Sequence, residues 1–307
     1  SITIIGNGTG NTTLNATSSG KGFDITSDDV TIKNIKVEGC GNTDTYNGIQ
    51  ASGDDAIIEN VKVSNCSKGI SVGGSGVWIG NSTFTSNYDS GVNIYDGDTS
   101  NDAVKVYNNV ISWNVKEGVR STEDDTVIKS NLIHNNSDGV YLYNSADTII
   151  ADNTFADNDE GIEVFNGCHR VVINNNVISD SERRGIYIAG SSAHYGIIEA
   201  NTITNSVIQG ILIQHSDYYY LGNTSVSGSG SYDIQFHKAT VGNSAKNTTF
   251  STINVGSQAY FAIYNDLTLK FMQNATLGFD DLDVKLVSDS STKYATSYYG
   301  GSDSKTN

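Results

Sequence analysis

Proline is absent from this chain of 307 residues, and methionine occurs only once. Without proline every residue keeps its backbone N–H donor, which suits long ladders of backbone hydrogen bonds. Charged residues are also scarce, at 17 %, yet the formal net charge is −16. This acidic balance argues against nucleic acid as a partner, and it makes an anionic polysaccharide a poor partner unless metal ions intervene.

Long apolar runs are missing as well. No stretch approaches the roughly 18 consecutive apolar residues that a transmembrane helix needs, so the sequence predicts no membrane span. Residues 1–5 (SITII) already have the pattern of a β-strand, and no leader-like segment precedes them. We therefore expect the sequence to be a mature or excised segment.

What the chain has in abundance is repetition. Residues 124–145 and 146–167 form two consecutive 22-residue units that agree at nearly every apolar, Asn and Gly position. Each unit has three short apolar runs separated by clusters of Asn, Asp, Ser and Gly, and no run shows a helical period. A unit this short cannot bury its apolar stripe alone, so neighbouring units must stack.

The repeats predict an all-β fold, a parallel β-helix solenoid of about ten coils over residues 1–239. Residues 240–307 lose the repeat, and their strand-like segments predict a final irregular coil followed by a small antiparallel β module.

A column of asparagines runs in phase with the repeat. We predict that their side chains point inward and that each amide bonds to the coils on both sides, whereas Asn158 is expected at the surface. The column consists of Asn34, Asn60, Asn81, Asn109, Asn131, Asn153, Asn176, Asn201, Asn223 and Asn247.

Two of the three cysteines, Cys40 and Cys66, each follow a column asparagine by six residues. They should therefore stack in adjacent coils, at a spacing that a disulfide tolerates, although two buried thiols would also fit. Cys168 is left over, and the chain has no CxxC motif that would indicate a metal site.

Nine Asn-x-Ser/Thr sequons occur, a density that favours an exported, glycosylated protein at the cell surface or outside the cell. Asn81 and Asn223 are excluded as acceptors because the column places them inward. The expected glycosylation sites are Asn7, Asn11, Asn15, Asn135 and Asn274.

Aromatic residues gather on one predicted outward face around Arg120 and Glu163. Such a face suits glycan binding, since aromatic rings stack on sugars and polar groups bond to hydroxyls. It equally suits packing between neighbouring strands or contact with another protein. Glu163, helped by Arg120, is the candidate general acid or base, on position alone. The aromatic members are Tyr95, Tyr141, Tyr143, Phe165 and Tyr187.

One loop has the spacing of a calcium site. Asp96, Asp98, Ser100 and Asp102 place oxygen-bearing side chains at alternate positions, although the distant bidentate glutamate of a calcium loop is absent. Ca²⁺ is thus a candidate cofactor. The alternative is that these aspartates and those of neighbouring turns accept backbone N–H bonds in Asx turns.

The repeated pattern, as in VVINNNVISDSERRGIYI and TIIADNTFADNDEGIEV, resembles the right-handed parallel β-helix repeat of the pectin-lyase-like superfamily. The resemblance covers about residues 28–239 and implies the fold but no particular activity. The catalytic signatures of polygalacturonases, pectate lyases and epimerases are not found. In character the chain is most similar to β-helix segments of archaeal or bacterial cell-surface and adhesin-like proteins.

Two hypotheses about function follow. The first is an extracellular structural or adhesive surface protein that assembles with copies of itself or with other surface proteins, end to end or laterally. The alternative is a secreted polysaccharide-active enzyme (lyase, hydrolase or epimerase) or glycan-binding module that uses the aromatic face.

Overall fold

Each repeat folds into three short β-strands joined by turns, and successive repeats stack into a parallel solenoid of about ten coils. The β-branched runs form the strands and the Asn, Asp, Ser and Gly clusters form the turns, as their backbone preferences predict. This computed structural model describes residues 1–18, 20–95, 103–190, 192–238, 240–256 and 259–264, and the backbone of residues 282–288 and 291–298.

The three strands of a coil belong to three sheets, named A, B and C in chain order. Sheet A contains β1 (Ile2–Ile5), β4 (Val30–Lys33), β7 (Ile57–Glu59), β10 (Trp78–Gly80), β13 (Lys105–Tyr107), β16 (Val127–Lys129), β19 (Ile149–Ala151), β22 (Val172–Asn174), β25 (Ile197–Glu199), β28 (Tyr220–Gly222), β31 (Thr240–Lys246), β33 (Ala259–Tyr264), β34 (Leu282–Ser288) and β35 (Ser291–Tyr298). Sheet B contains β2 (Thr13–Asn15), β5 (Lys36–Glu38), β8 (Lys62–Ser64), β11 (Thr83–Thr85), β14 (Val110–Ser112), β17 (Leu132–His134), β20 (Thr154–Ala156), β23 (Val177–Ser179), β26 (Thr202–Thr204) and β29 (Ser225–Ser227). Sheet C contains β3 (Phe23–Ile25), β6 (Ile49–Ala51), β9 (Ile70–Val72), β12 (Val92–Ile94), β15 (Glu117–Ser121), β18 (Asp138–Tyr143), β21 (Glu160–Phe165), β24 (Arg184–Ala189), β27 (Gln209–Gln214), β30 (Tyr232–His237) and β32 (Ile253–Val255).

The core fills the inside of the solenoid with columns of aliphatic side chains. In sheet C, Val140 pairs with Ile162 and Ile162 with Ile186, and all three side chains are fully buried. Burying an aliphatic side chain of this kind stabilises a fold by about 1.5 to 3 kcal/mol. Because the same position points inward in every coil, the residues between the inward positions point out of the sheet. In the described part of the chain, no helix is long and apolar enough to cross a bilayer.

The solenoid continues beyond residue 239. Strands β31 and β33 extend sheet A in parallel register, and β32 extends sheet C. After them, β34 pairs in parallel with β33, and β35 pairs antiparallel with β34. The division of the chain into two domains at residue 239 stays a prediction.

The predicted inward column of asparagine amides is confirmed for the middle coils only. The Asn131 backbone N–H and side-chain Nδ2 both donate to Oδ1 of Asn153, at 2.9 and 3.0 Å, and Nδ2 also donates to the Val106 carbonyl. Asn153 bonds to Asn176 and to the Ile128 carbonyl in the same way. The continuous inward members are Asn109, Asn131, Asn153, Asn176 and Asn201.

The prediction was wrong by one residue at both ends of the column. The wrongly assigned asparagines occupy the turn position just before the inward one, where φ is positive, and asparagine tolerates that conformation better than most residues. Hydroxyl or aliphatic residues such as Ser82 and Thr224 take the inward position there. The misassigned residues are Asn34, Asn60, Asn81, Asn223 and Asn247.

A second inward column, missed from the sequence, lies at the turn between sheets B and C. Asn114 Nδ2 donates to Asn136 Oδ1 at 3.0 Å, and Asn136 Nδ2 donates to Asn158 Oδ1 at 3.2 Å. Asn158 is therefore buried, which corrects its expected surface position. In the first coils Cys40 and Cys66 occupy this column, where they form a disulfide between adjacent coils with their Cα atoms 4.5 Å apart.

Candidate functional site

The outward positions of sheet C form a column whose registry matches the sequence alignment. Arg120 pairs with Tyr141, Tyr141 with Glu163, and Glu163 with Tyr187. The column continues towards the N-terminus through polar side chains and towards the C-terminus through Leu212 and then polar side chains. Its full membership is Asp24, Gln50, Ser71, Asn93, Arg120, Tyr141, Glu163, Tyr187, Leu212, Gln235 and Asn254.

The column just described and a second outward column, in which Tyr143 pairs with Phe165, bring most of the predicted aromatic residues together. The Tyr143 ring stacks on both Tyr141 and Phe165, with ring centroids 6.5 and 6.2 Å apart. The Tyr187 ring lies beneath the Arg184 guanidinium, whose Cζ is 4.3 Å from the ring centroid. Together these rings form a half-buried surface across β18, β21 and β24.

Tyr95 lies apart from that surface. Its ring covers Gly73, where an added Cβ would meet the ring at 2.5 Å, and its hydroxyl accepts a hydrogen bond from Gln50 Nε2 at 3.0 Å. Arg120 NH1 donates to Asn93 Oδ1 at 3.3 Å. The upstream end of the face is therefore a row of amides and hydroxyls that joins the aromatic surface at Arg120.

A row of carboxyl groups, missed from the sequence, runs beside the aromatic surface. Glu117, Asp138 and Glu160 are direct partners in adjacent strands of sheet C. Each is the residue before the glycine of its repeat, as in EGV, DGV and EGI. The residue before each glycine therefore carries the row, whereas the residues after the glycine carry the aromatic side chains.

Burial raises the pKa values of these carboxyl groups. The pKa of Glu163 rises to about 7 through burial and through the negative charge of Glu160. Burial and the charge of Glu163 raise the pKa of Asp138 to about 7. Burial likewise raises the pKa of Glu160 to about 7, although Arg184 and Arg183 oppose that shift. Near neutral pH these groups divide between protonated and ionised forms.

Arg184 connects the carboxyl row to the aromatic surface. Its NH1 donates to Glu160 Oε1 at 2.6 Å, its Nε donates to Gln209 Oε1 at 3.0 Å, and its guanidinium covers the Tyr187 ring. Arg183 NH1 lies 3.2 Å from the same Glu160 oxygen. Glu160 Oε2 is buried and has no hydrogen-bond partner within the part of the chain that the structure describes. Glu160 and Tyr187 are thus held by one side chain.

Tyr141 and Tyr187 keep their hydroxyl protons. Burial and the charge of Glu163 raise the pKa of Tyr141 to about 12, with Arg120 acting in the opposite direction. Burial also raises the pKa of Tyr187, which Arg184 partly offsets. Both hydroxyls are therefore hydrogen-bond donors beside Glu163.

The predicted calcium loop (Asp96, Asp98, Ser100 and Asp102) lies outside the described residues. In the equivalent turns of other coils, aspartates accept backbone N–H bonds: Asp54 Oδ1 accepts from Ser75 at 2.8 Å, and Asp124 Oδ1 accepts from Ala146 at 2.6 Å. Among the described residues, no three His, Cys, Asp or Glu side chains are grouped so that they could hold a metal ion.

The sequons occupy several surfaces. Asn7, Asn11 and Asn15 are exposed in the first coil and Asn135 is half-buried, whereas Asn274 lies outside the described residues. Asn81 and Asn223 were wrongly excluded, because their side chains are exposed at turns. Glycosylation of any of these sites stays a prediction.

Known proteins share this architecture. The sequence model of the family described as right handed beta helix region matches residues 47–199. The chain is a right-handed parallel β-helix. No curated protein sequence matches it significantly.

Solved structures of similar fold include three that are named for polysaccharides. The Azotobacter vinelandii mannuronan C-5 epimerase AlgE4 A-module is 16 % identical with a TM-score of 0.65, and the alignment covers 89 % of this chain and 83 % of that one. The periplasmic alginate epimerase AlgG is 14 % identical with a TM-score of 0.64, covering 80 % and 69 %. The catalytic unit of a GH87 alpha-1,3-glucanase from Streptomyces thermodiastaticus strain HF3-3 is 13 % identical with a TM-score of 0.59, covering 82 % and 60 %. At identities this low, the structural similarity shows that these proteins share the fold of this chain, and nothing more.

Proposed function

We propose that this β-helix binds a polysaccharide on the outer face of sheet C and acts on it with Glu163 as a proton-transferring group. The observation that carries the proposal is the position of Glu163, which stands between Tyr141 and Tyr187 in one outward column. Polysaccharide-active neighbours with the same fold favour this function over the adhesive surface role. An extracellular or periplasmic location fits a polysaccharide partner and belongs to the same proposal.

The aromatic surface provides the sugar-binding element. Aromatic rings pack against the apolar CH faces of sugar rings, while hydroxyl, amide and guanidinium groups bond to sugar hydroxyls. Tyr141 and Tyr187 supply rings on both sides of Glu163, and Arg120 and Asn93 supply polar groups at the next coils. Since coils follow one another about 4.8 Å apart, a polymer lying along the solenoid axis would meet equivalent positions repeatedly.

Glu163 provides the chemistry. A general acid or base works best when its pKa lies near the working pH, because it then exists in the required form and transfers its proton readily. With a pKa raised to about 7 by burial and by Glu160, the Glu163 carboxyl is protonated in a large fraction of molecules near neutral pH. It can then donate that proton to an oxygen of a sugar bound between the two tyrosines.

The test is a carbohydrate array together with reducing-sugar, ultraviolet and epimerisation assays on a panel that includes mannuronan, alginate and alpha-1,3-glucan. We expect binding to at least one polymer, loss of that binding in Tyr187→Ala, and loss of turnover with retained binding in Glu163→Gln. Tyr260→Ala is the matched control, since Tyr260 is an exposed tyrosine on β33 of sheet A. Absence of binding to every polymer, or equal losses in Tyr187→Ala and Tyr260→Ala, would refute the proposal.

A further inference from the structure

Negative charge predominates around Glu163. On and directly before the adjacent strands β15, β18 and β21, carboxyl groups outnumber the cations that accompany them. The carboxyl groups belong to Glu117, Asp138, Asp159, Glu160 and Glu163, and the cations are Lys116, Arg120, Arg183 and Arg184.

Most of these cations already form ion pairs with carboxylates. Arg183 NH1 and Arg184 NH1 both contact Glu160 Oε1, at 3.2 and 2.6 Å. Arg184 also bonds to Gln209 and covers the Tyr187 ring. Among the described residues, Arg120 has no carboxylate partner, and its NH1 donates to the Asn93 amide oxygen at 3.3 Å.

The remaining carboxyl groups lie close to the aromatic surface, since the charges of Glu163 and Glu117 both contribute to raising the pKa of Tyr141, after burial. Glu117 accepts a hydrogen bond from Ser90 Oγ at 2.7 Å and is the register partner of Asp138. Asp138 lies on the same strand as Tyr141, β18, and Glu163 on β21 is the register partner of Tyr141. A sugar carboxylate placed here would repel the ionised carboxyl groups or force them to take up protons, and in a half-buried surface, where screening is weak, either effect costs binding free energy.

We infer that the face takes an uncharged polysaccharide and that the reaction is hydrolysis of a glycosidic bond, an inference that rests on the proposed function. The excess of carboxyl groups at Glu117, Asp138 and Glu163 carries it. It separates this chain from neighbours of the same fold that are named for mannuronan or alginate, which are polyanions.

The reaction class follows from the chemistry of the substrate. Elimination and C-5 epimerisation both begin by removing the proton on C5, which is acidic only beside a carboxylate or ester at C6. An uncharged hexose has a hydroxymethyl group there, so those two routes are closed. Hydrolysis needs only a proton donor at the glycosidic oxygen, a proton acceptor for water, and groups that hold the sugar.

The coupled pair Asp138 and Glu163 supplies both proton groups. Burial, and after it the negative charge of Glu163, raise the pKa of Asp138, so ionisation of Glu163 disfavours ionisation of Asp138 and the reverse. The Glu163 carboxyl gives its proton to the glycosidic oxygen as the C1–O bond breaks. A water oxygen forms the new bond to C1 and loses one proton to the Asp138 carboxylate, which balances the step.

The experiment uses pairs of polymers that differ only in charge. Neutral β-1,4-mannan, β-1,4-glucan and alpha-1,3-glucan are each compared with their C6-carboxylate forms, made by selective oxidation of the primary hydroxyl groups. Binding is measured by affinity gel electrophoresis and calorimetry on the full chain. For any polymer that binds, we expect the oxidised form to bind about tenfold more weakly, which corresponds to about 1.4 kcal/mol.

Substitutions of single carboxyl residues test whether the repulsion of oxidised polymers arises near Glu163. Glu117→Gln removes one negative charge beside the site without touching either proton-transferring group, so it should narrow the difference in binding between neutral and oxidised polymers. Asp24→Asn removes one from the same outward column far from the site, at β3, and should leave the difference unchanged. Products should carry new reducing ends without an ultraviolet-absorbing double bond, and turnover in heavy-oxygen water should label those ends.

Each outcome is decisive. Equal or tighter binding of an oxidised polymer, or unsaturated or epimerised products, would overturn the inference and leave the polysaccharide function standing. If no neutral or oxidised polymer of the panel binds, the proposed function itself fails, and the inference fails with it.

Discussion

Asp138 and Glu160 are direct partners across adjacent strands of sheet C, in the register that joins β18 to β21. Both carboxyl groups, like Glu163, have pKa values raised to about 7, with burial as the main cause. The free carboxyl groups of an unfolded chain ionise near the ordinary values of 3.8 for Asp and 4.5 for Glu. The folded protein therefore binds more protons than the unfolded chain between those values and about pH 7.

The first prediction concerns stability against pH. Where the folded state binds more protons, stability falls as pH rises. Melting temperature should therefore decrease between about pH 5 and about pH 8, as measured by scanning calorimetry. Asp138→Asn should flatten this decrease, because it removes one of the buried ionisations, whereas Asp24→Asn, on the exposed end of the face, should not.

A rise in melting temperature over the same interval would contradict this assignment. Carboxyl groups whose pKa values are lowered in the folded protein do not change stability in this pH interval. The Arg170 hydrogen bond lowers the pKa of Asp147, and the Asn175 hydrogen bond lowers the pKa of Asp152. The stability that they provide is lost only as pH falls through their own low pKa values, below 3.8.

The second prediction concerns the inward amide column. Asn153→Ala should lower the free energy of unfolding by about 2 to 5 kcal/mol, because it leaves the Asn131 donors and the Ile128 carbonyl unpaired inside the solenoid. Asn158→Ala should have a similar effect, since Asn158 belongs to the second column. Asn42→Ala, at an exposed position before β6, is the control. Urea unfolding monitored by circular dichroism gives these values, and equal midpoints for Asn153→Ala and Asn42→Ala would contradict the column.

The sequence predicts the fold and the outward column well because both depend on a period that many repeats share. Tyr141, Glu163 and Tyr187 align without ambiguity, since the glycine and aliphatic residue before each of them fix the phase. The inward column is harder to predict because asparagine serves two purposes, a bonded amide inside and a turn residue with positive φ outside. Asn81 and Asn109 therefore look equivalent in sequence and differ in structure.

The chemical part of the site was less predictable for a different reason. Glu160 looks like any surface carboxylate before a glycine, and only the folded chain shows that it is 1 % exposed. Its burial depends on Arg184, which lies one coil further along the chain and 24 residues away. Charge pairs between coils depend on register and side-chain rotamer, which the repeat pattern does not specify.

The third prediction tests whether Arg184 holds Glu160 and Tyr187 together. Arg184→Met should destabilise the fold by about 1 to 3 kcal/mol, because Glu160 keeps Arg183 as a partner but loses its shortest hydrogen bond. Adding Glu160→Gln should recover part of that loss, since the buried charge is then gone. A double-mutant cycle with Glu160→Gln alone measures the coupling energy, and a coupling near zero would show that the pair is independent.

The fourth prediction concerns the disulfide. Cys40 and Cys66 close a segment with a sequence separation of 26, so the bond should contribute about 3 kcal/mol by restricting the unfolded chain. Alkylation in denaturant without reductant should modify neither cysteine, and the double variant Cys40→Ser/Cys66→Ser should unfold at lower urea concentration. Cys168→Ser provides a single-thiol comparison. If the unfolded, unreduced protein takes up alkylating reagent at Cys40 or Cys66, the two residues are thiols in solution.

The last prediction separates an acid role of Glu163 from a purely binding role. Since Asp138 and Glu163 are coupled, turnover should require one protonated and one ionised group, and kcat/KM should peak near pH 7. Glu163→Gln cannot donate a proton, so it should lose most activity on polysaccharide but keep far more on aryl glycosides, whose phenolate leaving groups need no protonation. The alkaline decline of kcat/KM should disappear for the aryl substrate in this variant. If Glu163 only binds the sugar and transfers no proton, Glu163→Gln should instead raise KM for both substrates and leave the pH profile unchanged. Equal losses of activity on polysaccharide and on aryl glycosides would therefore exclude Glu163 as the acid.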